Sequence, residues 1–394
     1  MKIKSIHLMR IQAEITSEIV LPVPSYITSG IYMLRLETEE GLVGIGEPSP
    51  YGASPDQMEM VLYSSRFRAV LGKDALSDDV LMSQLAGGGG YGLLAEQAVL
   101  AGYSQAIWDL RGKIQQEPLY RLLNPHACSG IAAYASAGMW WEDPCGEEVL
   151  LEEALRYQSE GFAGYKLRPP TPRQAGNHFA RNQAPPPVDV ERLLRALTLI
   201  RQAVGDDWPL MVDAGCRLSF EEAARLGAFM QESRFLFFEE PLPREPKLYE
   251  QLKRRVRVPL AGGEALVAAC DIEPWIQRGL LDVLQPDVNL CGIEELQRID
   301  ARVFQQGHTM VLHNWANEIS SAANVAVAVG SRSCRLVEAN RTWNPFRERV
   351  FIGGPQIQKG RLVLSDRPGL GVEVDETWLD RFLVSHTFIQ SGQK

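Results

Sequence analysis

From residue 131 onward, short apolar runs that end in a polar residue alternate with amphipathic segments whose apolar residues recur every three or four positions. Such runs are typical of buried strands, and the periodic segments between them are typical of surface helices. The eight predicted strands are IAAYASA (131–137), FAGYKLR (162–168), PLMVD (209–213), FLFFE (235–239), PLAGGE (259–264), DVLQPD (282–287), TMVLH (309–313) and CRLVE (334–338). Eight strand–helix units within roughly 220 residues predict a closed parallel (β/α)8 barrel.

The first 125 residues have a different pattern. KIKSIHLMRIQAE (2–14) and IYMLRLETEEGLVGIGE (31–47) alternate between apolar and polar residues, which predicts two strands that pair. LAEQAVLAGYSQAIWDLRGKI (94–114) has the apolar spacing of a long helix. We therefore predict an α+β region before the barrel.

Composition narrows the class of protein. The chain has 394 residues, of which 45% are hydrophobic and 23% charged, as in soluble globular proteins. Its net charge of −9, with lysine and arginine scattered, argues against nucleic acid or an anionic membrane as the partner. The N-terminus lacks the apolar core of a signal peptide, and the six cysteines are widely spaced without a CxxC pair, so we expect free thiols and a cytoplasmic protein.

Carboxylates end three consecutive predicted strands: Asp213, Glu239 and Glu264, which are 26 and 25 residues apart. Each alone could simply begin the turn into the next helix, where the helix dipole favours an acid. In a barrel, however, the carboxyl ends of all strands lie at one face. Three carboxylates gathered there repel one another unless a cation lies between them, and all-oxygen sites favour Mg²⁺ over Zn²⁺. The spacing therefore predicts one Mg²⁺ site.

The next two strands continue this arrangement. Asp287 ends the sixth predicted strand and His313 ends the seventh. A carboxylate beside an imidazole fixes its tautomer and raises its basicity. We therefore predict that His313, oriented by Asp287, is a general base.

Seven motifs in this order and spacing resemble the enolase superfamily, and specifically its mandelate racemase-like group. They are AIWDLRGKIQQEPLYRLL (106–123), IRQAVGDDWPLMVDAG (200–215), FFEEP, GGEAL, QPDVNLCG, LHNWANEIS and RPGLGVEV (367–374). The resemblance covers nearly the whole chain. It implies a modified (β/α)7β barrel of the TIM type (126–355), an α+β capping domain (1–125) and a C-terminal segment (356–394) that returns to the capping domain.

The resemblance also implies roles for individual residues. The metal ligands are Asp213, Glu239 and Glu264, and the base pair is His313 with Asp287. Glu338, at the end of the eighth strand, is expected to hydrogen-bond the substrate carboxylate opposite the metal, as a donor if it is protonated. The family's Lys-x-Lys motif matches Lys166-Leu167-Arg168, with arginine in the second place.

The arginine at position 168 helps to decide which of the family's reactions is expected. Neutralising an arginine near pH 7 costs on the order of 7 kcal/mol, so Arg168 is a poor second base. With one base, we expect dehydration of an acid sugar (an aldonate or aldarate) to a 2-keto-3-deoxy acid. The alternatives are a racemase or epimerase of a 2-hydroxy or amino acid derivative, with Lys166 as second base, and a non-catalytic metal- or ligand-binding descendant. A metal-dependent hydrolase would need a His-x-His motif at the first strand, which has no histidine.

Residues that contact the substrate are harder to predict. The insert 168–189 is rich in proline and polar residues, and we expect a lid in which His178 and Arg181 contact a polyhydroxylated carboxylate. Asn289 and Trp315 are further candidates near the predicted catalytic residues. The family often forms dimers and octamers, so we also expect a homo-oligomer.

Overall fold

A computed structural model describes residues 1–13, 30–49, 54–63, 65–77, 94–138, 146–169, 188–342 and 344–392. The chain begins with three antiparallel strands, β1 (Ile3–Gln12), β2 (Gly30–Thr38) and β3 (Val43–Gly46). Within the described residues, four helices follow: α1 (Pro55–Leu62), α2 (Ser65–Arg68), α3 (Leu94–Gln115) and α4 (Leu119–Leu123). Alternate residues of β1 and β2, such as Ile6 and Leu34, pack with Ile107 of α3 in a core of their own. The predicted α+β region is therefore present.

Eight parallel strands form the barrel. They are β4 (Gly130–Ala137), β5 (Tyr165–Leu167), β6 (Leu210–Asp213), β7 (Phe237–Glu239), β8 (Leu260–Gly262), β9 (Val283–Leu284), β10 (Thr309–Leu312) and β11 (Cys334–Asn340). Each strand pairs with the next along the chain, and β11 pairs with β4 to close the sheet on itself. The predicted barrel is confirmed.

Helices cover the outside of the barrel. They are α5 (Gly146–Ser159), α6 (Val190–Val204), α7 (Phe220–Glu232), α8 (Pro246–Lys253), α9 (Ala269–Gln277), α10 (Val288–Gln305), α11 (Glu318–Gly330) and the short α12 (Pro345–Arg349). Helix α7 begins at a capping box in which Ser219 and Glu222 each bind the other's backbone. The barrel interior is filled by side chains from alternating positions, including Tyr134, Met211 and Phe237, so it is a packed core.

The residues after the barrel join both parts of the protein. Strands β13 (Gln356–Gln358) and β14 (Arg361–Val363) form a hairpin that pairs with β4. Strands β12 (Phe351–Ile352) and β15 (Glu373–Val374) pair with each other, and α13 (Glu376–Phe382) follows. The last strand, β16 (Leu383–Gln390), pairs with β1 at the edge of the first sheet. The C-terminal segment therefore contacts the barrel first and the capping sheet last.

Two further observations concern the sequence predictions. Five of the cysteines lie in the described residues and all five are free thiols; Cys128 and Cys270 are exposed. No helix in the described part of the chain has the length and apolar character needed to cross a membrane.

Candidate active site

The three predicted metal ligands lie at one end of the barrel. Asp213 and Glu239 are the last residues of β6 and β7, and they are directly opposite each other in the register of the two strands. Glu264 lies two residues beyond the end of β8, which pairs with β7. Asp213 and Glu239 are buried, whereas the side chain of Glu264 is 20% exposed. Parallel strands thus bring these carboxylates to a common face, as the spacing predicted.

Lys166 lies among these carboxylates. It is the middle residue of β5, and its side chain is fully buried. Its Nζ donates to Glu239 Oε2 at 2.7 Å and lies 2.8 Å from Glu338 Oε1 and 4.0 Å from Asp213 Oδ2. Burial alone would lower the pKa of Lys166, but the carboxylates of Glu239 and Glu338 outweigh it and raise the pKa well above the usual value. Lys166 is therefore a buried cation that holds two acidic side chains together.

Arg168 contacts Asp213 from the rim of the barrel. Its Nε lies 2.7 Å from Asp213 Oδ2, and its guanidinium carbon lies 4.7 Å from the centre of the Trp315 ring. A cation above an indole face is attracted to the ring electrons. Trp315, which was predicted to contact substrate, therefore supports the arginine of the Lys-x-Arg motif.

His313 and Asp287 form the predicted pair. His313 Nδ1 lies 2.6 Å from Asp287 Oδ2, and both residues are buried. Asp287 is held in turn by the backbone N–H of Asn289, at 2.9 Å, and by the side-chain amide of Asn324, at 3.3 Å. The other ring nitrogen of His313, Nε2, lies 3.1 Å from Glu264 Oε2. The imidazole is thus oriented by one carboxylate and faces a predicted metal ligand.

The protonation of His313 depends on these neighbours. Burial lowers its pKa, but the carboxylate of Glu264, the hydrogen bond to Asp287 and the charge of Glu338 together raise it to about 10. Among these neighbours, Glu264 raises the pKa of His313 most. The charge state of the ring therefore depends on where the Glu264 carboxylate points.

The charge of Glu338 depends on its neighbours. It was expected to donate a hydrogen bond to the substrate carboxylate if it is protonated. Burial does raise its pKa, but Lys166, His313 and the backbone N–H of Asn314 outweigh that effect and lower the pKa to about 2. Glu338 Oε2 accepts a hydrogen bond from Asn314 N at 2.9 Å. The ion pair with Lys166 therefore favours the ionised form of Glu338, and the sequence did not indicate this pairing.

The sequence analysis did not identify Arg244, which lies three residues after the Glu-Glu-Pro motif at the end of β7. Arg244 binds both oxygens of Glu240, at 2.7 and 2.5 Å, and its Nη2 also donates to Glu264 Oε1 at 2.9 Å. The second glutamate of the pair is thus a buried partner of Arg244, and Cys216 Sγ lies 3.1 Å from the same carboxylate. Gln285 was also missed, although it precedes Asp287 by two residues; its amide donates to Glu239 Oε2 at 2.7 Å.

The predicted metal ligands are all carboxylates, and carboxylate oxygens suit a hard divalent cation. Three carboxylates end or closely follow consecutive strands, and the buried Asp213 Oδ2 has cationic neighbours, Arg168 Nε at 2.7 Å and Lys166 Nζ at 4.0 Å. As the side chains stand, no group of three or more His, Cys, Asp or Glu residues within the described ranges is positioned to hold a metal ion. The carboxylates point to bases instead: Glu264 to Arg244 and His313, and Asp213 to Arg168. Rotation of these side chains is needed to bring their oxygens to one cation.

The structure describes only some of the residues that were predicted to bind substrate. His178 and Arg181 lie outside the described residues, as does the stretch 170–187 of the insert that carries them. Asn289 is buried, and its Oδ1 lies 2.6 Å from the hydroxyl of Ser320 on α11. Its side chain therefore belongs to a polar network behind the His313–Asp287 pair.

Comparison with known proteins assigns the chain to a family. The sequence model described as enolase C-terminal domain-like matches residues 149–378. The model of the mandelate racemase / muconate lactonizing enzyme N-terminal domain matches residues 6–124. The chain therefore belongs to the mandelate racemase / muconate lactonizing enzyme family of the enolase superfamily, as its motifs indicated.

Among curated proteins, the chain is similar to an arabinonate dehydratase of Saccharolobus solfataricus, with 29% identity over 87% of this chain and 88% of the relative. It is 28% identical to a D-gluconate/D-galactonate dehydratase of Picrophilus torridus, over 73% and 71% of the two chains. It is 27% identical to a D-galactarolactone cycloisomerase of Agrobacterium fabrum, over 89% and 90%. A crystal structure of the 3,6-anhydro-D-galactonate cycloisomerase from Zobellia galactanivorans has the same fold, with a TM-score of 0.80, 24% identity and coverage of 98% and 100%.

Proposed function

We propose that this protein is a Mg²⁺-dependent dehydratase of acid sugars that produces a 2-keto-3-deoxy acid. The observation that carries the proposal is the position of His313: Nδ1 is 2.6 Å from Asp287, and Nε2 is 3.1 Å from the candidate metal ligand Glu264. A base beside the cation is what removal of a proton next to a carboxylate requires. The similarity to curated acid sugar dehydratases supports the same reaction.

Asp213, Glu239 and Glu264 would hold the cation. A divalent ion bound there would supply positive charge beside the substrate carboxylate, where negative charge develops as the neighbouring C–H bond breaks. Lys166 and Arg168, which contact Glu239 and Asp213, add fixed positive charge on the side of β5.

His313 would take the proton from C2 of the substrate through Nε2, since Nδ1 is bound to Asp287. If the Glu264 carboxylate turned to a bound cation, the ring would lose a negatively charged neighbour, and its pKa would move toward the range that suits a base near neutral pH. As the C2–C3 double bond forms, the C3–O bond breaks and the leaving hydroxyl takes the proton from the imidazolium. Water departs, and the enol tautomerises to the 2-keto-3-deoxy acid.

Elimination is favoured over racemisation because the side of β5 lacks a suitable second base. Lys166 is fully buried between Glu239 and Glu338, and both carboxylates favour its charged form. Arg168 keeps its charge at any physiological pH. A base on only one face of C2 cannot return a proton to the other face.

The test is a screen of aldonates and aldarates with Mg²⁺, in which semicarbazide detects the 2-keto product. Incubation in deuterated water separates the alternatives, since a racemase or epimerase incorporates deuterium at C2 without loss of hydroxyl. A non-catalytic descendant of the family would bind Mg²⁺ and turn over none of the acids. Cyclic sugar acids belong in the same screen, because one similar curated protein is a lactone cycloisomerase.

His313→Asn is the decisive variant for the mechanism. It keeps a polar side chain of similar size and removes the base, so we expect turnover to fall by about 10²- to 10⁴-fold. Asp287→Asn should also reduce turnover, because it no longer fixes the tautomer of His313. Turnover of His313→Asn at the rate of the parent would refute the assigned base.

A further inference from the structure

A glutamate of the capping domain reaches the loop that carries the proposed base. Glu47 lies one residue after β3 and is buried. It binds Asn317, which is 270 residues further along the chain. Its Oε1 accepts hydrogen bonds from the backbone N–H of Asn317, at 3.0 Å, and from the side-chain amide of Asn317, at 2.8 Å. Its Oε2 accepts from Ser320 N at 3.1 Å. Three N–H groups therefore donate to one carboxylate.

These contacts give α11 the cap that its own sequence lacks. Asn317 is the N-cap residue of α11, but its side chain makes no capping hydrogen bond to the helix. The N–H of the third helical residue, Ser320, is one that an N-cap side chain normally satisfies. Glu47 accepts it instead, and the positive end of the helix dipole favours the carboxylate there. The capping domain thus supplies the N-cap of a barrel helix.

The capped end of α11 is also the end of the catalytic loop. Residues 313–317 connect β10 to α11 and begin with His313. Within this loop, Asn314 N donates to Glu338 and Trp315 lies against Arg168. Glu47 therefore fixes the far end of a five-residue loop whose near end is the proposed base.

A polar network ties Glu47 to its own domain. Its backbone N–H donates to Gln105 Oε1 of α3 at 2.9 Å. The Ser320 hydroxyl lies 2.6 Å from Asn289 Oδ1 and 3.2 Å from Gln105 Oε1, so it connects α3, α10 and α11. Glu47 is thus bound to the capping domain through its backbone and to the barrel through its carboxylate.

We propose that Glu47 is a positioning residue: it couples the capping domain to residues 313–317 and holds His313 in line with the substrate. This inference rests on the proposed function only for the role of His313. Burial raises the pKa of Glu47, and the hydrogen bonds from Asn317 and Ser320 oppose that effect. A carboxylate is matched to three donors, whereas an amide in its place directs an N–H group at one of them.

The test compares Glu47→Gln with Asp109→Asn. Asp109 is a second buried carboxylate at the base of the capping domain. It accepts from Ile45 N at 3.0 Å, Leu370 N at 2.8 Å and Lys113 Nζ at 2.6 Å. These partners lie outside residues 313–317, so Asp109→Asn controls for the general loss of a buried acceptor. In each protein, amide hydrogen exchange of residues 313–321 and steady-state kinetics with the substrate found in the screen are measured.

For Glu47→Gln we expect exchange at Asn317 and Ser320 to rise on the order of tenfold, and kcat to fall on the order of 10- to 100-fold with KM nearly unchanged. For Asp109→Asn we expect a lower melting temperature with unchanged kcat and unchanged exchange in this loop. Equal effects of the two variants on kcat, or unchanged exchange at Asn317 and Ser320 in Glu47→Gln, would overturn the proposal. Hydrogen exchange needs no substrate, so it tests the contact even if the proposed reaction fails.

If Glu47→Gln does not fold, Asn317→Ala takes its place. It removes one of the three hydrogen bonds and leaves the carboxylate intact. We expect smaller changes of the same kind, with faster exchange at Ser320 and a lower kcat. A variant with the exchange and kcat of the parent would refute the role of Glu47.

Discussion

Lys166 Nζ lies 2.8 Å from Glu338 Oε1, and both side chains are completely buried at opposite sides of the first barrel strand. The same ammonium group donates to Glu239 at 2.7 Å. A buried cation between two buried carboxylates is stable only as a set, because removal of one member leaves charge without compensation in a medium of low dielectric constant.

Lys166→Met is therefore expected to destabilise the protein. In the absence of Mg²⁺, the free energy of unfolding should fall by about 3–5 kcal/mol, since Glu239 and Glu338 then lose their common partner. Urea denaturation measures this change. Lys253→Met, which breaks the partly exposed pair with Asp282, is the control and should cost less than about 1 kcal/mol. Equal effects of the two substitutions would contradict the importance of the buried set.

Mg²⁺ should stabilise the folded protein if the three carboxylates bind it. At a concentration of Mg²⁺ about 100 times its Kd, the expected gain is roughly 2.7 kcal/mol, seen as a rise in melting temperature that a chelator reverses. Asp213→Asn and Glu239→Gln should abolish this rise. Glu153→Gln is the control: Glu153 is a carboxylate that accepts from Tyr165 away from the site, and its replacement should leave the Mg²⁺ effect intact. Persistence of the full effect in Asp213→Asn would exclude this residue as a ligand.

Arg168 and Trp315 should act as a unit. The guanidinium lies 4.7 Å from the ring centre while Nε faces Asp213. Trp315→Ala should lower kcat/KM because Arg168 loses the surface that holds it, and Trp315→Phe should retain most of the activity. In a double-mutant cycle of Trp315→Ala with Arg168→Met, we expect a coupling energy of about 1 kcal/mol, taken from the four kcat/KM values. Additive effects would mean that the two side chains act independently.

Glu318, the first residue of α11, should make stability depend on pH. Burial raises its pKa to about 7 from an ordinary value of 4.5, although Arg347, whose Nε is 2.9 Å away, opposes the shift. Between these pH values the folded state keeps a proton that the unfolded state has lost, so stability falls as the pH rises through this window. The loss from this group is about 3 kcal/mol and is complete above pH 7.

Glu318→Gln has no proton to lose at this position. Relative to the parent, its free energy of unfolding should therefore improve between pH 4.5 and pH 7, and the gain should remain at higher pH. Urea denaturation of both proteins at pH 5 and pH 8 measures the difference. A difference between the two proteins that is the same at both pH values would contradict the raised pKa.

The sequence predicted the parts of the site that depend on the strand–helix repeat. Asp213, Glu239 and His313 end strands or follow them directly, so the repeat alone brings them to one face. Strand lengths were less accurate. The predicted strand 282–287 has only two residues in the sheet, Val283–Leu284, because Gln285 turns to bind Glu239 and Asp287 caps α10.

Contacts between distant elements could not be predicted in this way. Arg244 enters the site from the turn after β7, and its contact with Glu264 depends on the path of that turn. The pairing of Lys166 with Glu338 joins β5 and β11, which lie on either side of β4 only because the barrel closes. Glu47 directly follows β3, and the alternating pattern of that sheet carries no sign of the helix that Glu47 caps. Each of these requires tertiary geometry.

The pairing of β16 with β1 has a consequence for synthesis on the ribosome. Strand β1 is formed by residues 3–12, but one of its two hydrogen-bonding partners comes from residues 383–390. While the chain is being translated, this side of β1 therefore exposes unpaired N–H and C=O groups, which favour association with other nascent chains. Chains released before residue 383 would keep that side open permanently, so incomplete products of translation should be prone to aggregate.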